Sequence, residues 1–74
     1  MAQAVASWLF TADELAGVLN VSRSTVYRYE EEGKLPAPVR LGGAVRWRAA
    51  EIRDWIRAGC PPRAHWEWNE GAAR

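Results

Sequence analysis

The feature that most constrains the fold of this chain is a pair of N-capping signals that start two short helices close together. The first is the capping box Thr11-Ala12-Asp13-Glu14, in which Thr11 caps an early backbone N–H and Glu14 reaches back. An apolar stripe follows and Asn20 is a suitable terminator, so we expect the first helix at about Ala12 to Leu19. The stripe consists of Ala12, Leu15, Ala16 and Leu19.

The second N-cap, Ser22, starts the next helix almost at once. The segment Arg23 to Glu32 contains neither glycine nor proline, and Gly33 stops it. At about 100° per residue, Val26 and Tyr29 fall on the face toward the first helix. Because only about three residues join the two helices, the sequence predicts a helix-turn-helix.

After Gly33 the pattern changes from helix to strand. Two prolines make residues 34–38 an extended connector. The alternating runs Val39-Arg40-Leu41 and Val45-Arg46-Trp47 flank Gly42-Gly43-Ala44, which predicts a β-hairpin with a glycine turn. A third helix is expected from about Ala49 to Ala58 and ends at Gly59 and the prolines that follow.

The predicted order is helix, helix, hairpin, helix, which is a mainly α fold with a small β-hairpin, the winged helix-turn-helix. At 74 residues, 49% of them hydrophobic and 26% charged, the chain is one small globular module, too small for most catalytic architectures. We divide it into a flexible N-terminal segment 1–8, a winged helix-turn-helix domain 9–60 and a C-terminal tail 61–74 that carries Trp66 and Trp68.

Charge is distributed unevenly along the chain. The formal net charge is only +1. Residues 22–48, however, hold six basic side chains against three acidic ones, so the middle of the chain is net positive. The basic residues are Arg23, Arg28, Lys34, Arg40, Arg46 and Arg48, and the acidic ones are Glu30, Glu31 and Glu32.

The outward face of the second helix is suited to a major groove. The short hydroxyl side chains and the backbone N–H groups at its N-terminal end can bind DNA phosphates. Arg28 can form paired hydrogen bonds to a guanine edge. Glu31 points away from that groove. The alternative is that Arg23 and Arg28 only solvate the helix and pair with the glutamates that follow. The predicted outward residues are Ser24, Tyr27, Arg28 and Glu31, with Thr25 at the flank.

The hairpin, like the second helix, carries positively charged arginines. Arg40 and Arg46 are expected on its outward positions, and the tip Gly42-Gly43 leaves the backbone bare to approach a phosphate or a narrow groove. The alternative for the glycines is simply a good turn.

No pattern of residues favours catalysis, a cofactor or a metal. Cys60 is the single cysteine, which fits a reducing cytoplasm, and with His65 it makes a poor metal site. Neither has a partner for nucleophilic catalysis. No signal peptide or membrane span is recognisable, so we expect a cytoplasmic protein.

Expected packing positions complete the prediction. We expect Trp47 and Trp55 in the core, with Ala49, Ile52, Ile56 and Gly59 on the inward stripe of the third helix, and Glu51 and Asp54 at solvent positions. Trp66 and Trp68 leave two alternatives open: both rings pack on the domain's own surface near Trp8, or they contact a second protein.

The strings TADELAGVLNVSRSTVYRYEEEGKLPAPVRLGG and VRWRAAEIRDWI resemble the excisionase and AlpA-like group of small winged-helix proteins, relatives of the DNA-binding domain of MerR regulators. The similarity runs from about Leu9 to Cys60. It implies that the second helix enters the major groove and that the hairpin wing touches the backbone or minor groove. The resemblance assigns Arg23, Ser24, Thr25, Tyr27 and Arg28 to the helix contacts, and Arg40, Gly42, Gly43 and Arg46 to the wing contacts.

The same resemblance implies double-stranded DNA as the partner. Members of this group act as recombination directionality factors, with an integrase or further copies as partners, or as small regulators of prophage and mobile-element transcription. Phage terminase small subunits use a similar module for packaging-site recognition. The long dimerisation helix and effector region of MerR regulators have no counterpart here, so no small-molecule effector is expected. The rival from another class is a protein-interaction adaptor with Trp66 and Trp68 as anchors.

Overall fold

The computed structural model describes residues 8–68 of the chain. The predicted segment 1–8 therefore lies outside the described residues except for Trp8. The elements are strand β1 (Leu9–Phe10), helices α1 (Ala12–Leu19) and α2 (Arg23–Glu31), strands β2 (Val39–Leu41) and β3 (Ala44–Arg48), helix α3 (Ala49–Arg57) and a short 3-10 helix (Arg63–His65).

The predicted caps of α1 and α2 are confirmed. Thr11 Oγ1 accepts the Glu14 N–H at 3.1 Å, and Glu14 Oε1 accepts the Thr11 N–H at 2.9 Å. Asn20 ends α1 in the left-handed conformation with φ 60°. Ser22 Oγ accepts the Thr25 N–H at 3.2 Å and so caps α2. Both boundaries were predictable because each cap is a local interaction within four residues.

The sheet has three strands, where the sequence predicted only the two strands of the hairpin. It is antiparallel with order β1-β3-β2, and Phe10 pairs with Trp47. The two residues of β1 carry no alternating pattern of their own, so only their pairing with the distant β3 makes them a strand.

The core lies between the two N-terminal helices, the sheet and α3. Trp47 is fully buried, and its Nε1–H donates to Pro36 O at 3.2 Å, so the extended connector closes one side of the core. The predicted core positions Trp47 and Trp55 are thus confirmed. The buried cluster consists of Ala12, Leu15, Ala16, Val26, Leu35, Trp47, Ile52 and Trp55.

Three predictions for the third helix are wrong, and one concerns Gly59, which was expected on the inward stripe but is exposed and lies beyond the end of α3. Glu51, expected at a solvent position, is only 8% exposed, because its Oε2 accepts the Trp66 Nε1–H at 2.9 Å and the tail covers it. Ile56, expected on the inward stripe, is 41% exposed. Helical periodicity identifies most of the core-facing residues of α3. It does not predict that the C-terminal tail folds back over the helix.

No helix within residues 8–68 is both long and apolar enough to cross a membrane.

Candidate nucleic-acid interface

The N-terminus of α2 differs from that of α1 in charge. The first turn of α1 carries Asp13 and Glu14, which offset the positive end of its helix dipole. The first turn of α2 carries no acidic residue, and the side chains there are Arg23, Ser24 and Thr25. The positive end of the α2 dipole is thus free of its own carboxylates, which favours an external anion.

The outward face of α2 carries the predicted hydroxyl, aromatic and guanidinium groups. Ser24, Tyr27 and Arg28 are all exposed, as is Arg23. Thr25 is half-buried, and its Oγ1 lies 2.8 Å from Ser22 Oγ, so this hydroxyl belongs to the cap of the helix. On the opposite side Val26 is completely buried. The structure therefore brings four of the five predicted helix residues together on an open surface.

Arg23 is held against its neighbours at the start of α2. Its Nε lies 3.6 Å from Asp13 Oδ1 of α1, and its guanidinium lies 5.7 Å from the centre of the Tyr27 ring. Hydrogen bonding with Tyr27, followed by the negative charge of Asp13, raises the pKa of Arg23 above its ordinary value. Like any arginine, Arg23 is positively charged across the physiological pH range.

Arg28 lies one turn further along and forms the type of pair that the alternative interpretation expected. Its Nε is 4.0 Å from Glu32 Oε2, and its guanidinium is 5.6 Å from the centre of the Tyr29 ring. An exposed pair of this kind contributes about 0 to 1 kcal/mol. Such a weak pair leaves Arg28 free to exchange Glu32 for a stronger acceptor.

Arg40 and Arg46 are exposed and half-buried, respectively, but they lie on opposite faces of the wing, so the prediction that both occupy its outward face is wrong. Arg40 pairs with Val45, whereas Arg46 pairs with Val39. Directly opposed residues share a face, so Arg40 shares the core-facing side of the hairpin with Val45. The prediction treated each strand by itself. A two-residue turn at Gly42-Gly43 fixes the pairing and would have revealed the error.

The outer face of the wing carries Arg46. Its side chain is half-buried and its Nη1 donates to Val45 O at 2.8 Å, which leaves the remaining guanidinium N–H groups for other acceptors. Leu41, on the same face next to the tip, is 61% exposed. At the tip Gly42 has a φ of +61°, and a Cβ added to Gly42 or Gly43 would meet no atom of the described chain within 4 Å beyond its immediate neighbours. The tip is therefore narrow and open.

Glu30 connects the wing and the tail to α2, a role that the sequence did not reveal. Its Oε2 lies 4.0 Å from Arg40 Nη2 of β2 and 3.6 Å from Arg63 Nη2 of the tail. Arg63 also donates from Nε to Leu35 O at 2.8 Å and from Nη2 to Glu30 O at 3.3 Å. The excess of glutamate at the end of α2 was visible, but the partners are far away in the chain.

Comparison of the sequence with models of known families identifies the family of this chain. A sequence profile described as a helix-turn-helix domain matches residues 9–60. The chain belongs to the helix-turn-helix domain family. In this helix-turn-helix domain α1 and α2 are the two helices after which the family is named, and β2 and β3 form a wing behind them.

Two curated proteins are similar in sequence to this helix-turn-helix domain. Both are named "Putative DNA-binding protein" and come from two strains of Mycobacterium tuberculosis. Each is 42% identical over 48 residues, which cover 65% of this chain. The chain spans 60% of the length of these relatives. No solved structure matches the chain significantly.

The tail of the helix-turn-helix domain lies along α3. Trp66 Nε1–H donates to Glu51 Oε2, and Trp68 Nε1–H donates to Asp54 Oδ2, each at 2.9 Å. Both rings are partly covered, and Trp66 packs against the core. The polar edges of both indole rings are thus occupied by carboxylates of the same chain.

The histidine and the cysteine of the helix-turn-helix domain are not assembled into a site. In the described part of the chain, no group of three or more His, Cys, Asp and Glu side chains is placed to hold a metal ion. Cys60 is exposed and free, at the end of α3.

Proposed function

We propose that this protein binds double-stranded DNA in a sequence-specific manner, with α2 in the major groove and the wing at the neighbouring backbone or minor groove. The observation that carries the proposal is the outward face of α2, where exposed hydroxyl, aromatic and guanidinium groups follow a helix N-terminus free of acidic residues. Membership of the helix-turn-helix domain family and the names of the two relatives support it.

The roles of the side chains follow from their chemistry. Arg28 reads a base edge, because a guanidinium can donate two parallel hydrogen bonds to guanine. Contacts to the DNA backbone come from the exposed residues Arg23, Ser24 and Tyr27 on α2, with the half-buried Thr25 at their flank, and from Arg40, Gly42, Gly43 and Arg46 on the wing. One recognition helix and one wing cover a small footprint, so repeated sites or neighbour contacts raise occupancy.

The test compares Arg28→Ala with a matched control, Arg57→Ala. Arg57 is an exposed arginine at the end of α3 that pairs with Asp54 at 3.1 Å, so both substitutions remove one charge and one surface ion pair. A preferred site is first selected from random duplexes, and affinity for it and for a mutated site is then measured by fluorescence anisotropy. Arg28→Ala should cost about 1 to 3 kcal/mol, or about 5- to 150-fold in affinity, and relax discrimination at one base position.

Arg57→Ala should leave that discrimination unchanged, since the residue lies on another helix. The assignment of Arg28 fails if its removal weakens binding to all sequences equally. The function itself fails if the unmodified protein binds no duplex at low salt, where nonspecific electrostatic binding is strongest.

We further propose that the biological role is that of an excisionase-like recombination directionality factor or a transcription regulator of a prophage or mobile element, in a fold related to the DNA-binding domain of MerR regulators. A directionality factor bends its site so that an integrase can excise the element, whereas a simple regulator needs occupancy alone. Energy transfer between dyes on the two ends of the selected duplex measures the bend. A large bend supports the first role and a straight duplex the second.

Two other roles use the same fold. Recognition of a packaging site, as in phage terminase small subunits, predicts binding to a duplex and to a terminase large subunit. An adaptor role predicts little affinity for any duplex and tight binding to a protein through Trp66 and Trp68. The hydrogen bonds of both indole groups to α3 favour DNA binding over this adaptor, because a partner would have to accept rings already engaged within the chain.

A further inference from the structure

Arg40 differs from Arg23 and Arg28 in that its carboxylate partner is largely covered, with only 21% of the Glu30 side chain exposed. It lies on the core-facing side of the wing, and within the described residues its one ionic partner is Glu30 of α2, at 4.0 Å. Its side chain is nevertheless 64% exposed. Arg40 is therefore accessible to a duplex and at the same time neutralised by a carboxylate of the recognition helix.

Glu30 has a second partner that does not depend on Arg40. The same atom, Oε2, lies 3.6 Å from Nη2 of Arg63. Arg63 is fixed by three further hydrogen bonds, from Nε to Leu35 O, from Nη2 to Glu30 O and from its backbone N–H to Gly33 O. Arg63 is thus the fixed partner of Glu30, while Arg40 is the exchangeable one.

Because Glu30 has this second partner, Arg40 can leave it at a small cost in free energy. A carboxylate that loses its only cation in a partly buried place is destabilised, but Glu30, with 21% of its side chain exposed, keeps Arg63 when Arg40 leaves. An exposed arginine that moves from a carboxylate to a phosphate exchanges one negatively charged partner for another. The phosphate contact also releases counterions condensed on the duplex.

We propose that Glu30 withholds Arg40 from nucleic-acid phosphates in the free protein and that a phosphate of duplex DNA replaces it when the wing engages. This inference rests on the proposed function. Glu30 then weakens the electrostatic contribution of the wing to duplex binding and leaves the contacts of α2 to base edges unchanged.

The test is Glu30→Gln, with Glu31→Gln as a matched control. Glu31 is the next residue on the same helix, is exposed and has no ion pair among the described contacts, so both variants raise the net charge equally. Binding to a short fluorescein-labelled duplex of mixed sequence is followed by anisotropy over a series of salt concentrations. Release of a surface ion pair corresponds to about a two- to fivefold gain in affinity for Glu30→Gln beyond that of Glu31→Gln.

The double variant with Arg40→Ala identifies the cause. If Glu30 acts through Arg40, the excess gain of Glu30→Gln disappears in the Arg40→Ala background, while the smaller gain of Glu31→Gln remains. The inference is overturned if the two glutamine variants gain equally, or if the excess survives without Arg40.

Thermal unfolding of each variant checks that the fold is intact. If Glu30→Gln fails to fold, Glu30→Asp keeps the charge but withdraws the carboxylate from Arg40, and the same dependence on Arg40 is expected with a smaller gain. Absence of duplex binding by the unmodified protein would refute the proposed function. Normal binding with equal glutamine variants would refute the role of Glu30 alone.

Discussion

The hydrogen bond between Trp66 and Glu51 yields a prediction about how much the tail stabilises the domain. Trp66→Phe removes the Nε1–H that donates to Glu51 Oε2 and keeps an aromatic ring in its place. Glu51 is 8% exposed, so water cannot fully replace the lost donor. Loss of a hydrogen bond to a carboxylate in such a place costs about 2 kcal/mol of unfolding free energy. For a domain of this size that lowers Tm by about 8 to 16 °C.

Trp68→Phe is the matched control. It removes the same group from the tail, but its acceptor Asp54 has 29% of its side chain exposed and also accepts from Arg57 Nη1 at 3.1 Å. The expected cost is below about 1 kcal/mol, because solvent and Arg57 still satisfy the carboxylate. Both variants also lose ring area, and the loss matters more at Trp66, which packs against the core, so a variant that removes both Trp66 Nε1–H and the Glu51 carboxylate is needed to isolate the hydrogen bond.

Urea unfolding followed by far-UV circular dichroism gives both free energies without relying on indole fluorescence, which each substitution alters. The slope m should stay constant, since the surface exposed on unfolding is nearly unchanged. The double variant Trp66→Phe with Glu51→Met should recover part of the loss, because both polar partners are then gone. Equal losses for Trp66→Phe and Trp68→Phe would refute the reasoning.

Three further substitutions test the caps and the wing. Ser22→Ala should lower the unfolding free energy by about 1 kcal/mol through loss of the α2 cap, whereas Ser24→Ala should lower it by less than about 0.5 kcal/mol. Equal midpoints of chemical denaturation for the two variants would contradict this. Gly42→Ala should cost about 1 to 2 kcal/mol in the same assay because its φ is +61°, whereas Gly43→Ala should be neutral because Gly43 is not among the glycines of positive φ. A Cβ has open space at both positions, so similar costs would argue against a conformational origin. Arg46→Ala should weaken binding to all duplexes alike and reduce the slope of log affinity against log salt by about 0.9, and an unchanged slope would remove Arg46 from the backbone contacts.

The parts of the fold that sequence predicted well are those specified by neighbouring residues. The bounds of α1 follow from Thr11 at one end and Asn20 at the other, and the start of α2 follows from Ser22. Each of these signals acts within one helical turn, so no knowledge of the tertiary structure is needed.

The errors arose where distant segments meet. The strand β1 exists only through its pairing with β3, and Glu51 is buried only because Trp66 returns to α3. The position of Arg40 was a different kind of error, since the short glycine turn already fixed which residues face each other across the hairpin. Exposure of the α2 surface was predictable from helical geometry, but the ionic partners of Arg40 were not.

The positions of Arg40 and Arg46 on opposite faces of the hairpin determine how the wing could contact DNA. A DNA strand that runs along one face of the hairpin meets a single guanidinium. A hairpin inserted between the two DNA strands, with one face toward each, has one arginine toward each strand. Under the proposed DNA binding, Arg40 and Arg46 would contact separate phosphate ridges, and we expect the losses of affinity caused by removing each of them to add.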